Sequence, residues 1–372
     1  MIGDIKVLLS LAYWFGPFCP EDSRPTSLTK KEVEVSCGDR VIKAWIYIPR
    51  GAIRGVYLIS PGFHFQGPSD SRFIRFNSIL ASAGFLIMAP FIEDYINMKL
   101  LPTAEVDFRA CFDYLESMEE RPQEIKPGVF SVSFGSLLAM RLAGHKDYKE
   151  RVGGLIIFGG YADWDETLRF FLTGLLNGEM VAKRDPLCRP VVFLNLLDCI
   201  QPEPKDPEKL IHAWKEYIQT SWPGSFYLEK ENYEALAYKI SEKLEGRDKE
   251  LFIQGCVFND EGKKTGLEAL DKMKEEWTYL DPLVWSSEVS CPVTVIHGRD
   301  DDVVPVNQAK RFEKALKHND NVSICITGLF AHSKNEGKGS LYTKTALLVK
   351  EVKMLFKILK NFLIMGRQKG EK

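Results

Sequence analysis

The amino-acid sequence predicts an α/β protein in which a mostly parallel sheet is flanked by helices. Short apolar runs, typical of buried strands, alternate with amphipathic segments of helical periodicity, and this alternation is the pattern of parallel-sheet proteins. The alternation stops near residue 163 and resumes near residue 292, and the segments between them have mainly helical patterning. Together these observations predict a helical insertion before the last two core strands.

The composition is that of an ordinary globular protein. Of the 372 residues, 45% are hydrophobic and 27% are charged, which provides for a sizeable core and excludes a disordered chain. The 49 basic and 51 acidic residues leave a net charge of -2, so we expect no nucleic-acid partner. Eight cysteines without a CxxC pair predict free thiols in a reducing, cytoplasmic compartment, with neither disulfides nor a zinc site.

Residues 1–30 are predicted to form an N-terminal extension. Its apolar stretch, residues 5–18, is shorter than the ~20 residues that a membrane-spanning helix needs. A terminal helix packed on the body is one interpretation, and a weak signal-peptide core is another. A third is an interfacial anchor with Trp14, Phe15 and Phe18 at the lipid boundary, which would give a cytoplasmic protein a weak contact with a membrane surface.

The first part of the predicted core covers residues 31–163. It begins with a hairpin around residues 37–40, because alternating β-branched and polar residues lie on both sides of that turn. Residues 56–60 are a continuous apolar run, as expected for a strand buried on both faces. Alternation then predicts helices over residues 72–83, 103–118 and 135–143, and strands over residues 85–89, 128–132 and 153–158.

The helical insertion is predicted for residues 164–288, and the second part of the core for residues 289–372. Asp206 followed by Pro207 indicates a helix start, with aspartate as the N-cap and proline at the first helical position. One helical face is predicted to carry Leu168, Phe171, Leu172, Leu175 and Leu176. After the insertion we expect strands over residues 292–296 and 322–326, and helices over residues 306–317 and 341–365.

A serine at a strand-to-helix junction is the first candidate catalytic residue. Ser133 has small residues two positions before and after it, namely Ser131 and Gly135. A nucleophilic serine on a sharp turn between a strand and a helix needs small residues at both places, because the two backbones nearly touch there. Neither Ser131 nor Ser136 meets this requirement, so Ser133 is the serine of the segment that fits.

Two later loops supply the other residue types that such a serine needs. Three aspartates, residues 300–302, follow the predicted strand that ends at Gly298, and the carboxyl edge of a sheet is where α/β active sites form. His332 lies in the loop after the last predicted strand. The chain order serine, aspartate, histidine places all three at one sheet edge.

At these three loops the sequence resembles the α/β-hydrolase superfamily, in particular its esterases and lipases with a helical lid. The family pattern Gly-x-x-Asp-x-x-Val-Pro matches residues 298–305. The resemblance implies that Asp301 is the catalytic acid and that Asp300 and Asp302 are solvated or loop-bracing carboxylates. It also implies that the insertion is a lid over the active-site edge.

The resemblance further implies an oxyanion loop over residues 60–67, although Pro61 stands where the family often has histidine. The backbone N–H groups of Phe63 and Phe134 would form the oxyanion hole. His64, beside this loop, would contact or position the substrate.

The expected activity is cleavage of a carboxylic ester or thioester through an acyl-enzyme on Ser133. His332 would accept the serine proton and Asp301 would orient the imidazole, so neither a metal nor an organic cofactor is expected. Aromatic and aliphatic residues of the insertion would suit an apolar acyl or aryl group on a small-molecule substrate. A peptidase or acyltransferase with the same triad, and a non-catalytic binding protein on the same fold, are the alternatives.

Overall fold

The computed structural model describes residues 2–15, 19–20, 22–176, 178–181, 184–328 and 341–368. Short apolar or alternating runs form its strands: β1 (Leu28–Cys37), β2 (Arg40–Pro49), β3 (Gly55–Ser60), β4 (Phe85–Pro90), β5 (Gly128–Val132), β6 (Gly154–Phe158), β7 (Leu175–Leu176), β8 (Glu179–Met180), β9 (Val293–Gly298) and β10 (Val322–Thr327).

Eight of these strands form one sheet, in the order β1-β2-β4-β3-β5-β6-β9-β10. β1 pairs with β2 and β2 with β4 in antiparallel direction, whereas the other neighbouring pairs are parallel. Every residue of β3, β4 and β9 is buried, because helices cover both faces of the sheet there. The mostly parallel sheet predicted from the sequence is therefore confirmed.

Amphipathic segments form the helices: α1 (Ile2–Phe15), α2 (Ser71–Ser82), α3 (Glu93–Ile96), α4 (Thr103–Ser117), α5 (Gly135–Gly144), α6 (Trp164–Thr173), α7 (Arg189–Leu196), α8 (Pro207–Ser221), α9 (Lys230–Ser241), α10 (Gly246–Cys256), α11 (Asp260–Lys272), α12 (Asn307–Ala315) and α13 (Leu341–Met365).

The helices bury their apolar faces on two sides of the sheet. One hydrophobic cluster joins α4, α5 and α12 to the sheet and continues into α6–α11; we call this side the front face. A second cluster joins α1, α2 and α13 to the other side, the rear face. Both faces of the central strands are thereby removed from water, and this burial is the main favourable contribution to folding.

The segment between β6 and β9 is helical, as the sequence predicts. The side chain of Asp206 accepts a hydrogen bond of 3.0 Å from the backbone N–H of Lys209, so the predicted N-cap of α8 is present. The expected helical face through Leu175 and Leu176 is wrong in its last part. α6 ends at Gly174, whose left-handed φ of 69° lets the chain turn, and the two leucines pair with β8 as a short hairpin.

The N-terminal helix α1 packs on the rear face. Val7 and Leu11 are buried there, and Trp14 and Phe15 are half-buried, while Ile5, Leu9 and Tyr13 are exposed. Phe18 lies outside the described residues. Among the helices that the structure describes, none is long and apolar enough to cross a membrane. A surface contact with a membrane through this segment stays a prediction.

Candidate active site

Ser133 occupies a strained turn between β5 and α5. Its φ is 50°, in the left-handed region that non-glycine residues rarely adopt. The backbone N–H of Ser133 donates a 2.9 Å hydrogen bond to the carbonyl oxygen of Phe158, at the end of β6. The turn therefore holds the serine at the carboxyl edge of the sheet, in a conformation that costs of order 1–3 kcal/mol and persists only where its surroundings enforce it.

The small residues around Ser133 allow two backbones to approach each other closely. A Cβ atom added to Gly135 would lie 2.6 Å from the carbonyl oxygen of Pro61 and still nearer to that of Ser60. Ser131 is fully buried, and its hydroxyl donates a 3.3 Å hydrogen bond to the carbonyl oxygen of Ile156. The hydroxyl of Ser131 thus has an acceptor on the neighbouring strand β6.

The loop after β3 lies against this turn, as the predicted oxyanion loop should. A Cβ atom added to Gly62 would meet the Cβ of Ser133 at 3.3 Å. The rings of Phe63 and Phe134 stack with their centroids 4.7 Å apart and an interplanar angle of 15°. The structure thus brings both residues named for the oxyanion hole beside Ser133, and their role as hydrogen-bond donors stays a prediction.

Tyr95 braces these two phenylalanines and was not singled out by the sequence. Its ring makes an edge contact with Phe63, with centroids 4.5 Å apart, and its hydroxyl donates a 3.3 Å hydrogen bond to the carbonyl oxygen of Phe134. Burial raises the pKa of Tyr95 far above its usual value, so the hydroxyl keeps its proton and remains a donor. In the sequence, Tyr95 is a single tyrosine in a short segment, and no pattern around it predicts this contact.

Asp301 lies in a tight loop at the carboxyl end of β9. Its Oδ1 accepts backbone hydrogen bonds from Val303 at 3.0 Å and from Val304 at 2.9 Å. His297 is fully buried, and its Nε2 donates to the carbonyl oxygen of Val304 at 2.8 Å. The Oδ2 of Asp301 lies 3.4 Å from where a Cβ of Gly159 would be, just past the end of β6. The carboxylate is therefore fixed at the same sheet edge as Ser133, with β6 between the strands that carry them, and its role as the catalytic acid stays a prediction.

Asp302 does not fit the first of its two expected roles, a solvated carboxylate, and the second, a loop-bracing carboxylate, stays a prediction. It is buried, with 8% of its surface exposed, and it lines the same cavity as Ser133. Its backbone carbonyl accepts a 2.8 Å hydrogen bond from the N–H of Asp185, so the insertion is tied at this residue to the loop between β9 and α12, which we call the acid loop. Asp300, in contrast, is exposed. The burial of Asp302 depends on the insertion covering it, which no local pattern signals.

His332, the predicted general base, lies outside the described residues. The described part of its loop ends at Gly328, where a buried carboxylate from α13 joins two loops. Glu351 accepts hydrogen bonds from the hydroxyl of Thr327 and the backbone N–H of Gly328, and the guanidinium of Arg299 donates to it at 2.8 Å. Arg299 belongs to the acid loop, so Glu351 links the acid loop to the beginning of the loop that follows β10.

A cavity of about 830 Å³ opens onto Ser133. We call it the Ser133 cavity and distinguish two parts by the elements that line them. The front arm is lined by the insertion and the oxyanion loop, through Phe63, Phe171, Leu187, Val191, Trp222 and Leu228. The rear arm is lined by rear-face helices, through Phe15, Phe73, Phe76, Leu80, Leu355 and Leu359. The volume of the whole cavity is within the usual range for small-molecule sites.

Comparison with known proteins identifies the fold. No protein-family model and no curated protein sequence matches this sequence. A solved acylaminoacyl peptidase, in complex with Z-Gly-Gly-Phe-chloromethyl ketone, matches with a TM-score of 0.52 at 16% identity, over 93% of this chain and 43% of its own. The uncomplexed acylaminoacyl peptidase of Pyrococcus horikoshii matches with a TM-score of 0.51 at 15% identity, over the same 93% and 43%. These structures have the α/β-hydrolase fold.

The chain has the α/β-hydrolase fold. It spans less than half the length of the two peptidases, since 43% of each is covered. The Pyrococcus furiosus esterase Pf2001 also matches, with a TM-score of 0.47 at 15% identity, over 92% of this chain and 95% of the esterase.

In this α/β-hydrolase fold, His64 lies in the Ser133 cavity and belongs to a polar cluster. Its Nε2 is 3.3 Å from the Oδ2 of Asp70, and the Nη2 of Arg72 donates to that same oxygen at 2.7 Å. Burial lowers the pKa of His64, and the charge of Arg72 lowers it further, although Asp70 opposes both. The imidazole is therefore neutral at pH 7, and its contact with substrate stays a prediction.

The described residues offer no cluster of side chains that could bind a metal ion. No group of three or more His, Cys, Asp or Glu side chains among them is arranged to hold a metal ion.

Proposed function

We propose that this protein is a serine hydrolase that cleaves a carboxylic ester or thioester through an acyl-enzyme on Ser133. The observation that carries the proposal is the backbone of Ser133, held at a φ of 50° on a strand-to-helix turn that faces the cavity. Strain of this kind is concentrated at functional sites, because elsewhere a less costly residue would serve. A nucleophilic serine is presented to substrate by such a turn.

The proposed reaction uses Ser133, the predicted base and acid, and the predicted oxyanion hole. The Oγ of Ser133 attacks the carbonyl carbon, and its proton moves to His332, whose imidazolium is stabilised by Asp301. The backbone N–H groups of Phe63 and Phe134 stabilise the resulting oxyanion, and one such donor typically contributes about 2.7–4 kcal/mol to transition-state stabilisation.

The intermediate then collapses, and the alcohol or thiol leaves with the proton held by His332. In the second half, water gives a proton to His332 and its oxygen attacks the acyl carbon. The bond to Ser133 breaks, the serine regains its proton, and the carboxylic acid is released.

Cys188 is a second candidate nucleophile among the described residues that line the cavity. Burial raises its pKa well above the usual value for a thiol. Cys188 therefore stays protonated near neutral pH, which favours Ser133 as the residue that reacts with an acyl group. The apolar walls of both arms favour an ester with an apolar acyl or alcohol part.

Labelling with a fluorophosphonate probe tests the proposal directly. The probe should modify wild-type protein at Ser133, located by mass spectrometry of peptides, and should not modify Ser133→Ala. The matched control is Ser225→Ala, which removes an exposed serine at the rim of the same cavity and should still be labelled. Absence of labelling in the folded wild type, or labelling at another residue, would contradict the proposal.

An amide substrate is the second candidate. Two of the matching structures with TM-scores above 0.5 are acylaminoacyl peptidases, and one of them is in complex with Z-Gly-Gly-Phe-chloromethyl ketone. Comparison of kcat/KM for a p-nitrophenyl ester with that for an acyl-alanine p-nitroanilide separates the two activities. A higher value for the anilide favours a peptidase, and product formed on an added alcohol acceptor favours an acyltransferase.

A further inference from the structure

The rear arm of the Ser133 cavity has a feature that hydrolysis by itself does not require. Lining residues come from the rear side of three core strands, Phe130 in β5, Phe158 in β6 and Ile296 in β9. The cavity therefore continues from the carboxyl edge of the sheet, where Ser133 lies, onto the rear face between α2 and α13.

Apart from Arg72 at the start of α2, the described side chains that the rear-face helices contribute to the cavity are apolar. Phe73 and Phe76 project from α2, and Leu355 from α13 faces the same space. All three are only half-buried, so their surfaces are free to contact a ligand. Phe15 of α1 reaches the cavity from the side of α2, with its ring 5.6 Å from that of Phe76. None of these apolar side chains can form a hydrogen bond, so a polar group would lose its partners there.

Polar side chains line other parts of the cavity. His64 comes from the oxyanion loop and Asp302 from the loop after β9, and Arg72, at the start of α2, pairs with Asp70 and lies beside His64. Apart from Arg72, the described lining side chains from α1, α2 and α13 are apolar. A substrate whose carbonyl carbon reaches Ser133 can place an alkyl chain in the rear arm and its polar leaving group in the front arm.

We propose that the rear arm binds the alkyl chain of the acyl group, so that the substrates are esters of medium- to long-chain fatty acids. This inference rests on the proposed serine-hydrolase function. Each methylene removed from water contributes about 0.8 kcal/mol, which corresponds to roughly a three- to four-fold gain in kcat/KM per methylene until the arm is filled.

A chain-length series tests this assignment. p-Nitrophenyl esters from acetate to decanoate are compared by kcat/KM below their micellar concentrations, for the wild type and three tryptophan variants. Leu355→Trp blocks the rear arm, and Leu228→Trp blocks the front arm at an equally half-buried leucine. Phe356→Trp is the matched control, because it changes the adjacent residue of α13, which is 39% exposed.

We expect the decanoate-to-acetate ratio of kcat/KM to fall at least ten-fold in Leu355→Trp, and to be unchanged in Phe356→Trp. If Leu355→Trp does not fold, Phe73→Trp blocks the same arm from α2. A wild-type profile that does not rise with chain length, or a fall in the ratio only in Leu228→Trp, would overturn the assignment.

Fluorophosphonate labelling of the same proteins separates this inference from the proposed function. If Ser133 is labelled in the wild type and in Leu355→Trp but the chain-length ratio is the same in both, only the assignment of the rear arm fails. If Ser133 is not labelled in the wild type, the serine-hydrolase function itself fails.

Discussion

Replacement of Gly135 by alanine is the sharpest test of how the turn at Ser133 is built. The added methyl group would lie 2.6 Å from the carbonyl oxygen of Pro61 and nearer still to that of Ser60. Both obstacles are backbone atoms of the loop that carries the predicted oxyanion hole. They cannot rotate away as a flexible side chain could, so either α5 or the loop after β3 must shift.

The required shift can be worked out from these positions. To reach an ordinary contact distance of 3.4 Å, the methyl group and the Pro61 oxygen must separate by about 0.8 Å. Overpacking of this kind costs roughly 1–3 kcal/mol of folding free energy. A displacement near 1 Å at reacting groups can lower the rate about 10²-fold. We therefore expect a lower Tm and a fall in kcat/KM of about one to two orders of magnitude.

The assay pairs thermal unfolding with ester hydrolysis at a temperature where the variant remains folded. Gly51→Ala is the control, because no atom lies within 4 Å of the position that its Cβ would occupy. It should change neither Tm nor kcat/KM appreciably. Wild-type values of both quantities in Gly135→Ala would refute the idea that close contact between α5 and the oxyanion loop shapes the site.

Four further predictions concern the turn, the acid, the base and the loop link. Ser133→Gly and Ser133→Ala should both abolish turnover. The glycine variant should be more stable than the alanine variant by about 0.5–1 kcal/mol, because glycine adopts a φ of 50° without a Cβ clash. Equal Tm values for the two variants would contradict this. Among the aspartate-to-asparagine variants at residues 300–302, Asp301→Asn should lose most kcat/KM, by about 10⁴-fold, and equal small losses at all three would place the acid elsewhere. The pH profile of kcat/KM should show a single-proton acid limb near neutrality, from His332. His64→Gln should keep that limb, since burial lowers the pKa of His64. Loss of the limb in His64→Gln would assign the limb to His64 instead. For Glu351, burial acts to raise the carboxyl pKa, but hydrogen bonds from Thr327 and Gly328 and the charge of Arg299 outweigh it and leave the pKa below its usual value. The ionised carboxylate of Glu351 therefore stabilises the fold above about pH 4.3, and this contribution is lost as the pH falls through the lowered pKa. The Tm difference between wild type and Glu351→Gln should shrink below about pH 4. A Tm difference that stays constant with pH would contradict the link between the two loops.

Much of the fold could be predicted because its signals are local. A run such as Val56–Ser60 is apolar at every position, and only a strand with helices on both faces buries it fully. Asp206 and Pro207 signal a helix start through their own backbone chemistry. The end of α6 could not be predicted in the same way. Leu175 and Leu176 continue the helical spacing, but Gly174 adopts a left-handed conformation and they turn into a hairpin with β8.

The sequence by itself determined Ser133 as the candidate nucleophile and the alternation that places it at a sheet edge. Both are properties of neighbouring residues: the size of Ser131 and Gly135, and the period of apolar side chains. The tertiary structure alone decided that Tyr95 braces the oxyanion loop, that Asp302 is buried and that Glu351 joins two loops. It also decided that the cavity extends onto the rear face. These features arise where segments distant in the chain meet, and contacts of that kind leave no periodic or compositional mark on either segment.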